Sequence, residues 1–380
     1  MKILIINEYC GIKSTGRICG ELAEQFSKHG HTVKIAYGRD GYVPERYEKY
    51  SVRIGNYIDI ILHGIYTRLT DKHGLGSKRA TKNFLKWAEN FNPDIIWLHN
   101  LHGYYVNYEL LFGWIKLHPE KEIRWTLHDC WPFTGHCSHF TMVKCERWKD
   151  VCYGCPQLKR YPKCLLWGNV VDNYNRKKKQ FTGINNMQIF VPSIWLGNLV
   201  KQSFLSEYPV IIMPNEADVK VFNHIGNRNI KRTLGIEGKK MILGVASDWT
   251  EYKGLNIFTK LSDKLDEKYK IVLVGLSRKQ MKKISQNIIG IERTYNAREL
   301  AAYYSEAEVH VSASFEETFG MTILEAALCG TPSIVFQNTA CEEVLDQVHE
   351  KVGGIAVQAD IESIYDAITN EKYKKKQEEV

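Results

Sequence analysis

Two glutamates, Glu317 and Glu325, flank a short glycine-bearing turn in Ser312-Ala-Ser-Phe-Glu-Glu-Thr-Phe-Gly-Met-Thr-Ile-Leu-Glu325. The alternating apolar residues Val309, Val311 and Ala313 read as a strand entering that turn. Met321, Leu324, Ala327 and Leu328 then mark one face of a helix, which Gly330 and Pro332 stop. One carboxylate therefore sits on the turn and the other within the helix. Phe319, Gly320, Met321 and Thr322 occupy the helix start, where unpaired N–H groups and the macrodipole favour an anion. Gly320 has no side chain to hold a phosphate away from the backbone. Glu325 falls about 7 Å further along the axis, at about 1.5 Å per residue, which is a phosphate-to-ribose offset. Two hydroxyl-binding carboxylates around a phosphate cradle fit a ligand that is part sugar and part diphosphate. The plainer alternatives are a dipole-complementing acid at Glu317 and an ordinary exposed helical glutamate at Glu325.

Other residues stand where strands end. Lys253 and Gly254 follow the strand Ile242–Val245, where a lysine can neutralise a diphosphate as a mobile point charge. His128 closes the strand Arg124–Leu127, and the adjacent Asp129 either orients its imidazole or merely ends the strand. Gly16, in Gly11-Ile-Lys-Ser-Thr-Gly16, lies between the first strand and a helix. The spacing is not Gly-x-Gly-x-x-Gly, so a dinucleotide site is unsupported. Of ten cysteines, six fall between Cys130 and Cys164. Cys137, Cys145, Cys152 and Cys155 offer four thiolates, the last two at a metal-knuckle spacing, with His136 and His139 as further ligands. Structural zinc, free buried thiols and an iron–sulfur cluster all remain open for this segment.

These residues need rigid elements behind them. Near-continuous apolar strands (Ile3–Ile6, Val33–Tyr37, Ile95–Leu98, Arg124–Leu127, Gln188–Val191, Ile242–Val245, Tyr269–Val274, Val309–Ala313, Ser333–Phe336) alternate with amphipathic helices such as Ile18–Lys28, Lys82–Asn90 and Arg298–Ser305. That pattern is α/β, with parallel sheets covered on both faces and ligands at the carboxyl ends of the strands. The 380 residues suit two domains. The expected division is 1–218, with a Cys-rich insertion at about 130–168, then 219–360, then a tail over 361–380. No apolar run approaches the ~18 residues of a membrane span, and the first ends at Asn7-Glu8, so a cytoplasmic location is expected. The formal charge is +8, with ten Lys or Arg against three Asp or Glu between Lys144 and Lys179. The run Arg176–Lys179 reads either as a solvated helix face or as a contact for anionic lipid headgroups; no nucleic-acid-binding motif accompanies it.

The Glu-x7-Glu segment resembles the signature of retaining glycosyltransferases, in particular family 4 of GT-B fold. Met1–Ile6, Gly30–Val33, Val191–Ser193, Met213–Asn215 and Lys253-Gly254 match in the family's order over most of the chain. The resemblance implies two Rossmann-like doubly wound domains facing a cleft, with a C-terminal helix crossing back to the first. It gives Glu317 the donor sugar and its transition state, Glu325 the ribose, and His128 the sugar's hydroxymethyl group. Gly16 and Lys253 are placed at the donor phosphates. Phe319 to Thr322 form the cradle, and no catalytic metal is expected. The family's arginine five residues before the lysine is replaced here by Asp248. Trp131-Pro-Phe-Thr-Gly-His136 and the Cys-rich tract resemble a subgroup that builds capsule and colanic acid. The implied reaction is a hexosyl-type transfer from a nucleotide-diphosphate sugar to a saccharide, expected to be lipid-diphosphate-linked, in surface polysaccharide synthesis (capsule, exopolysaccharide or O-antigen). Two other readings are a GT-B-fold sugar-nucleotide epimerase and a zinc-stabilised, non-catalytic interaction scaffold.

Overall fold

The computed structural model describes residues 1–226 and 229–375 and divides into two compact units, Met1–Met213 and Pro214–Val380. In the first, β1 (Lys2–Ile6), β2 (Thr32–Tyr37), β3 (Ser51–Arg53), β4 (Ile95–Leu98), β5 (Glu122–Thr126), β6 (Met187–Val191) and β7 (Val210–Ile212) form one sheet. The order is β3-β2-β1-β4-β5-β6-β7, and every pairing is parallel. Residues 3–6 of β1 are fully buried. Leu4 and Ile6 pack into one core while Ile3 and Ile5 pack into another on the opposite face. Helices cover both faces, which explains the unbroken apolar run.

The second unit repeats the plan. β8 (Lys240–Val245), β9 (Tyr269–Val274), β10 (Ile288–Ile291), β11 (Val309–Ser312), β12 (Ser333–Phe336) and β13 (Gly354–Val357) pair in parallel, in the order β10-β9-β8-β11-β12-β13. In each sheet the strand order reverses beside the first strand, so β1/β4 and β8/β11 are the topological switch points where such sheets bind ligands.

The division at Met213/Pro214 falls a few residues before the expected 218/219. The helix Ile361–Thr369 packs on the second sheet: Ile364, Ala367 and Ile368 join its core, and the Gly354 N–H donates to the carbonyl of Tyr373 at 2.7 Å. Residues 376–380 of the anticipated tail, and Asn227 and Arg228 near the start of the expected second domain, lie outside the described residues.

The Cys-rich insertion contains only two short 3-10 turns, Trp131–Phe133 and Arg147–Lys149. Buried contacts hold it in place of regular structure. Phe140 stacks on Trp148 at 4.8 Å, and Phe133 tilts against the same indole at 5.4 Å. Asp71 grips both ends, pairing with His136 at 2.5 Å and accepting the Asn169 N–H at 2.8 Å. Lys177 is 1% exposed and donates to the carbonyls of Trp131 (2.6 Å) and Thr134 (2.9 Å). Burial pulls its pKa down to about 7. The basic run Arg176–Lys179 is therefore not a continuous charged surface. Lys177 faces inward because α-helical spacing puts it on the buried stripe with Val170, Asn173, Tyr174 and Phe181. Arg176 pairs with Glu109 at 3.1 Å.

Candidate active site

At the switch point of the second sheet, two predicted residues meet. Lys253 ends a short 3-10 turn after β8, and Glu317 follows β11; their side chains form an ion pair, 31% and 24% exposed. The backbone forces the approach. Gly254 has φ +75°, and a Cβ there would lie 2.2 Å from the Ala313 carbonyl oxygen, so only glycine allows this loop against the end of β11. The Phe315 N–H donates to the Tyr252 carbonyl at 2.8 Å, locking the two loops together. Of the two adjacent glutamates, Glu316 is buried at 3% exposure, which leaves Glu317 as the accessible carboxylate.

Gly320 precedes the helix Met321–Leu328 with φ +102°, and a Cβ there would meet Ile323 Cδ1 at 2.8 Å. As N-cap it contributes no side chain, so the amides of the first turn carry no cap from it. Phe319 is buried beneath the turn, while Met321 and Thr322 are half-buried. One turn on, Glu325 accepts a hydrogen bond from the Tyr304 hydroxyl at 3.1 Å. Tyr304 is fully buried, and burial and then Glu325 push its pKa well up, so the phenol stays protonated and fixes the carboxylate. Nothing in the local sequence announced Tyr304; it reaches Glu325 from the neighbouring helix Ala297–Glu306. Arg278, on the short helix after β9, is engaged with Glu292 at 3.1 Å.

The first unit gathers polar side chains at the carboxyl ends of β1, β4 and β5. His128 and His99 share a hydrogen bond of 2.9 Å with rings stacked at 5.2 Å. Burial lowers both, His128 to about 4, so both are neutral at pH 7. Asp129 pairs not with His128 but with His102, at 2.7 Å. Burial opposes charge on that pair, yet the mutual attraction wins: His102 is raised and Asp129 falls to about 2. The outer nitrogen of His102 meets the Tyr161 hydroxyl at 3.1 Å, which brings the insertion onto the site. Glu8, at the end of β1, is raised by burial despite His102 and Arg39 nearby. Glu8, His99 and His102 were not anticipated; topology alone assembles them from separate strands. Gly16 lies inside the helix Lys13–Lys28 rather than in a turn. The turn is made earlier, by Gly11 and Lys13 at positive φ, and a Cβ at Gly16 would lie 2.9 Å from Tyr9 Cβ, so glycine lets the helix pack on Tyr9.

The sequence spacing suggested zinc, but among the described residues no group of three or more Cys, His, Asp or Glu side chains is arranged to hold a metal. Cys137 and Cys155 are neighbours: Cys155 and burial raise the Cys137 thiol, and Cys137 draws Cys155 down to about 6. Cys152 accepts the Gly135 N–H at 3.2 Å, and Cys137 and Cys152 join the hydrophobic core.

Two parallel α/β units of this topology make a GT-B fold, and solved structures of that class align along nearly the whole chain. Sucrose-phosphate synthase from Thermosynechococcus elongatus aligns with TM-score 0.68 at 16% identity, covering 97% of this chain and 89% of that one. WaaG, a glycosyltransferase involved in lipopolysaccharide biosynthesis, gives 0.62 at 14% identity, covering 97% and 90%. HepE from Anabaena, in complex with UDP, gives 0.62 at 12%, covering 97% and 89%. Residues 239–370, within the second unit, match the family model "Glycosyl transferases group 1". Among curated proteins, the putative colanic acid biosynthesis glycosyl transferase WcaC of Escherichia coli K12 is 40% identical over 74 residues. That alignment spans 18% of each chain.

Proposed function

We propose that this protein is a retaining glycosyltransferase that moves a sugar from a nucleotide-diphosphate sugar to a saccharide acceptor in bacterial surface polysaccharide synthesis. The observation that carries the reading is the meeting of Lys253 and Glu317 at the β8/β11 switch point. The glycine-started helix and the Tyr304-braced Glu325 stand beside them. A diphosphate on the amides after Gly320 and on Lys253 would leave Glu325 at the ribose and Glu317 at the sugar. Positive charge developing on the sugar ring would be met by Glu317, and negative charge on the leaving diphosphate by Lys253 and the amides. In a same-face substitution the bond from the anomeric carbon to the diphosphate breaks. The acceptor oxygen bonds to the same face of that carbon, and its proton passes to the departing phosphate oxygen. The phosphate charge is met by protein groups, so the scheme assigns no step to a metal ion.

Support for a saccharide acceptor on the first unit comes from its neutral His99–His128 pair, the charged His102–Asp129 pair and the adjacent Glu8, Tyr104 and Tyr161. Carboxylate, imidazole and tyrosine faces are groups that bind hydroxyls and stack on sugar rings. The similarity to WcaC, a putative colanic acid biosynthesis glycosyl transferase, favours an acceptor of surface polysaccharide synthesis, which this reading takes as lipid-diphosphate-linked. UDP-sugars are the first donors to try, because HepE has been solved with UDP-glucose. The test incubates the protein with a labelled nucleotide sugar and lipid-linked saccharide, then reads the product's anomeric coupling by NMR. A new glycosidic bond with the donor's configuration is expected. Inversion would exclude this mechanism, and free nucleotide with an altered sugar in the absence of acceptor would mark an epimerase.

A further inference from the structure

The helix Tyr57–Thr70 is amphipathic the wrong way round for a surface helix of a water-soluble unit. Its buried face is His63, Gly64 and Thr67, while its outward face is apolar. Tyr57 (70% exposed), Ile58 (65%), Leu62 (59%), Ile65 (47%) and Leu69 (47%) point to solvent, with Ile61 and Tyr66 between them. Side chains of this size ordinarily point to the core, and a contiguous patch of them marks an interaction surface. The Cys-rich insertion extends the patch. The Leu165 N–H donates to the Arg68 carbonyl at 2.8 Å, docking Leu165, Leu166 and Trp167 at the end of this helix. Those three are 47%, 51% and 82% exposed.

Charge identifies the occupant. Arg68, Lys159 and Lys163 are exposed around the joined patch, and the segment from Tyr153 to Gly168 holds no Asp or Glu. The helix's one acid, Asp59, is turned back to cap its own first turn, accepting the Asn56 N–H at 2.9 Å. Beside that turn a hollow is lined by Arg53, Arg79, Asn83 and Asp59. We propose that this face lies on an anionic lipid bilayer. The aliphatic side chains and Trp167 would enter the headgroup–acyl boundary, and the basic rim would meet lipid phosphates. Aliphatic and aromatic residues bordered by Lys and Arg are the composition of interfacial helices. A second copy of the chain would bring the same positive rim against this one, which charge disfavours. The membrane contact is thus assigned to this helix and the insertion's tip rather than to Arg176–Lys179. No helix among the described residues is long and apolar enough to cross a bilayer, so the contact is one of lying on the surface. The inference goes beyond the transfer reading and needs no transfer step.

The test is flotation of the full chain with phosphatidylcholine vesicles, with and without phosphatidylglycerol. The wild type should float with the anionic vesicles, and less so as salt rises. The triple variant Ile58→Ser, Leu62→Ser, Ile65→Ser should bind them roughly 100-fold more weakly, since three apolar side chains leave the interface. All three positions are exposed, so its Tm and its nucleotide binding should match the wild type. Those readouts also separate failure of docking from failure of the catalytic reading. Equal flotation of wild type and variant, or none with either vesicle, overturns the proposal. So does a wild-type dimer that the triple variant dissociates, which would make a second copy the occupant.

Discussion

Replacing Glu317 by Gln separates binding from chemistry in a way the structure makes quantitative. Glu317 engages Lys253, the cation assigned to the diphosphate. An incoming diphosphate must compete for that ammonium. The two side chains are 31% and 24% exposed, so solvent screens the pair, and about 0.5–1 kcal/mol is a fair measure of its strength. Glu317→Gln removes the competitor, so nucleoside-diphosphate affinity should rise by about 2–5-fold. The loss of ion pairing should lower Tm by no more than about 2–4 °C in a domain of this size. Transfer should fall by about 100–1,000-fold, because the carboxylate is assigned to charge that develops only in the transition state. Isothermal titration with the diphosphate and a labelled-sugar transfer assay read the two effects on one preparation. Transfer within about threefold of wild type would refute the assignment by leaving Glu317 without a transition-state role. Nucleotide affinity falling in parallel with transfer would make Glu317 a binding residue instead.

Tyr304→Phe deletes a hydroxyl that braces Glu325 from a fully buried position. It should cost about 1 kcal/mol of stability and weaken binding of nucleotide over free diphosphate several-fold; a shift in diphosphate affinity alone would contradict the ribose assignment of Glu325. Acidification should destabilise the first unit. His63, His73, His99 and His128 are all held below their usual pKa by burial, His63 and His128 near 4, while His102 is raised. From about pH 6.5 down to about 4 the unfolded chain binds more protons at those four than the folded one, so stability drops with pH there. His102 works oppositely, its contribution being full below about pH 6.5 and lost as pH rises through its folded pKa, and it offsets only part. Melting curves should show a lower Tm at pH 5 than at pH 7, and an equal or higher one would mean these imidazoles are solvated.

How much was legible follows from what each element touches. The interior strands were readable because both of their faces are buried. The strands absent from the apolar-run reading, Ser51–Arg53, Val210–Ile212, Ile288–Ile291 and Gly354–Val357, are the four sheet edges. Each has a single neighbour and is largely half-exposed, so none shows a continuous apolar run. The Glu317–Glu325 segment was legible because one strand, turn and helix carry it in sequence. The Lys253–Glu317 pairing could be anticipated only from the family's order of motifs. Tyr304, His99 and the His102–Asp129 pair depend on which strands and helices become neighbours, and no local spacing encodes that. The cysteine spacing singles out four thiols of one loop, but spacing does not specify how their sulfurs are arranged. The outward apolar face of Tyr57–Thr70 marks a further limit: periodicity defines a stripe on a helix, but not whether that stripe faces the core or the solvent.

The central claim is that the second unit holds a nucleotide-diphosphate sugar through Lys253, the Gly320 helix start and Glu325. A thermal-shift comparison of wild type and Lys253→Ala against UDP-, GDP-, ADP- and dTDP-sugars tests it most directly. One nucleotide family should stabilise the wild type, and the substitution should weaken that binding about tenfold or more, in keeping with loss of a charge-assisted phosphate contact. No shift with any nucleotide sugar, or an undiminished shift in Lys253→Ala, would contradict the account.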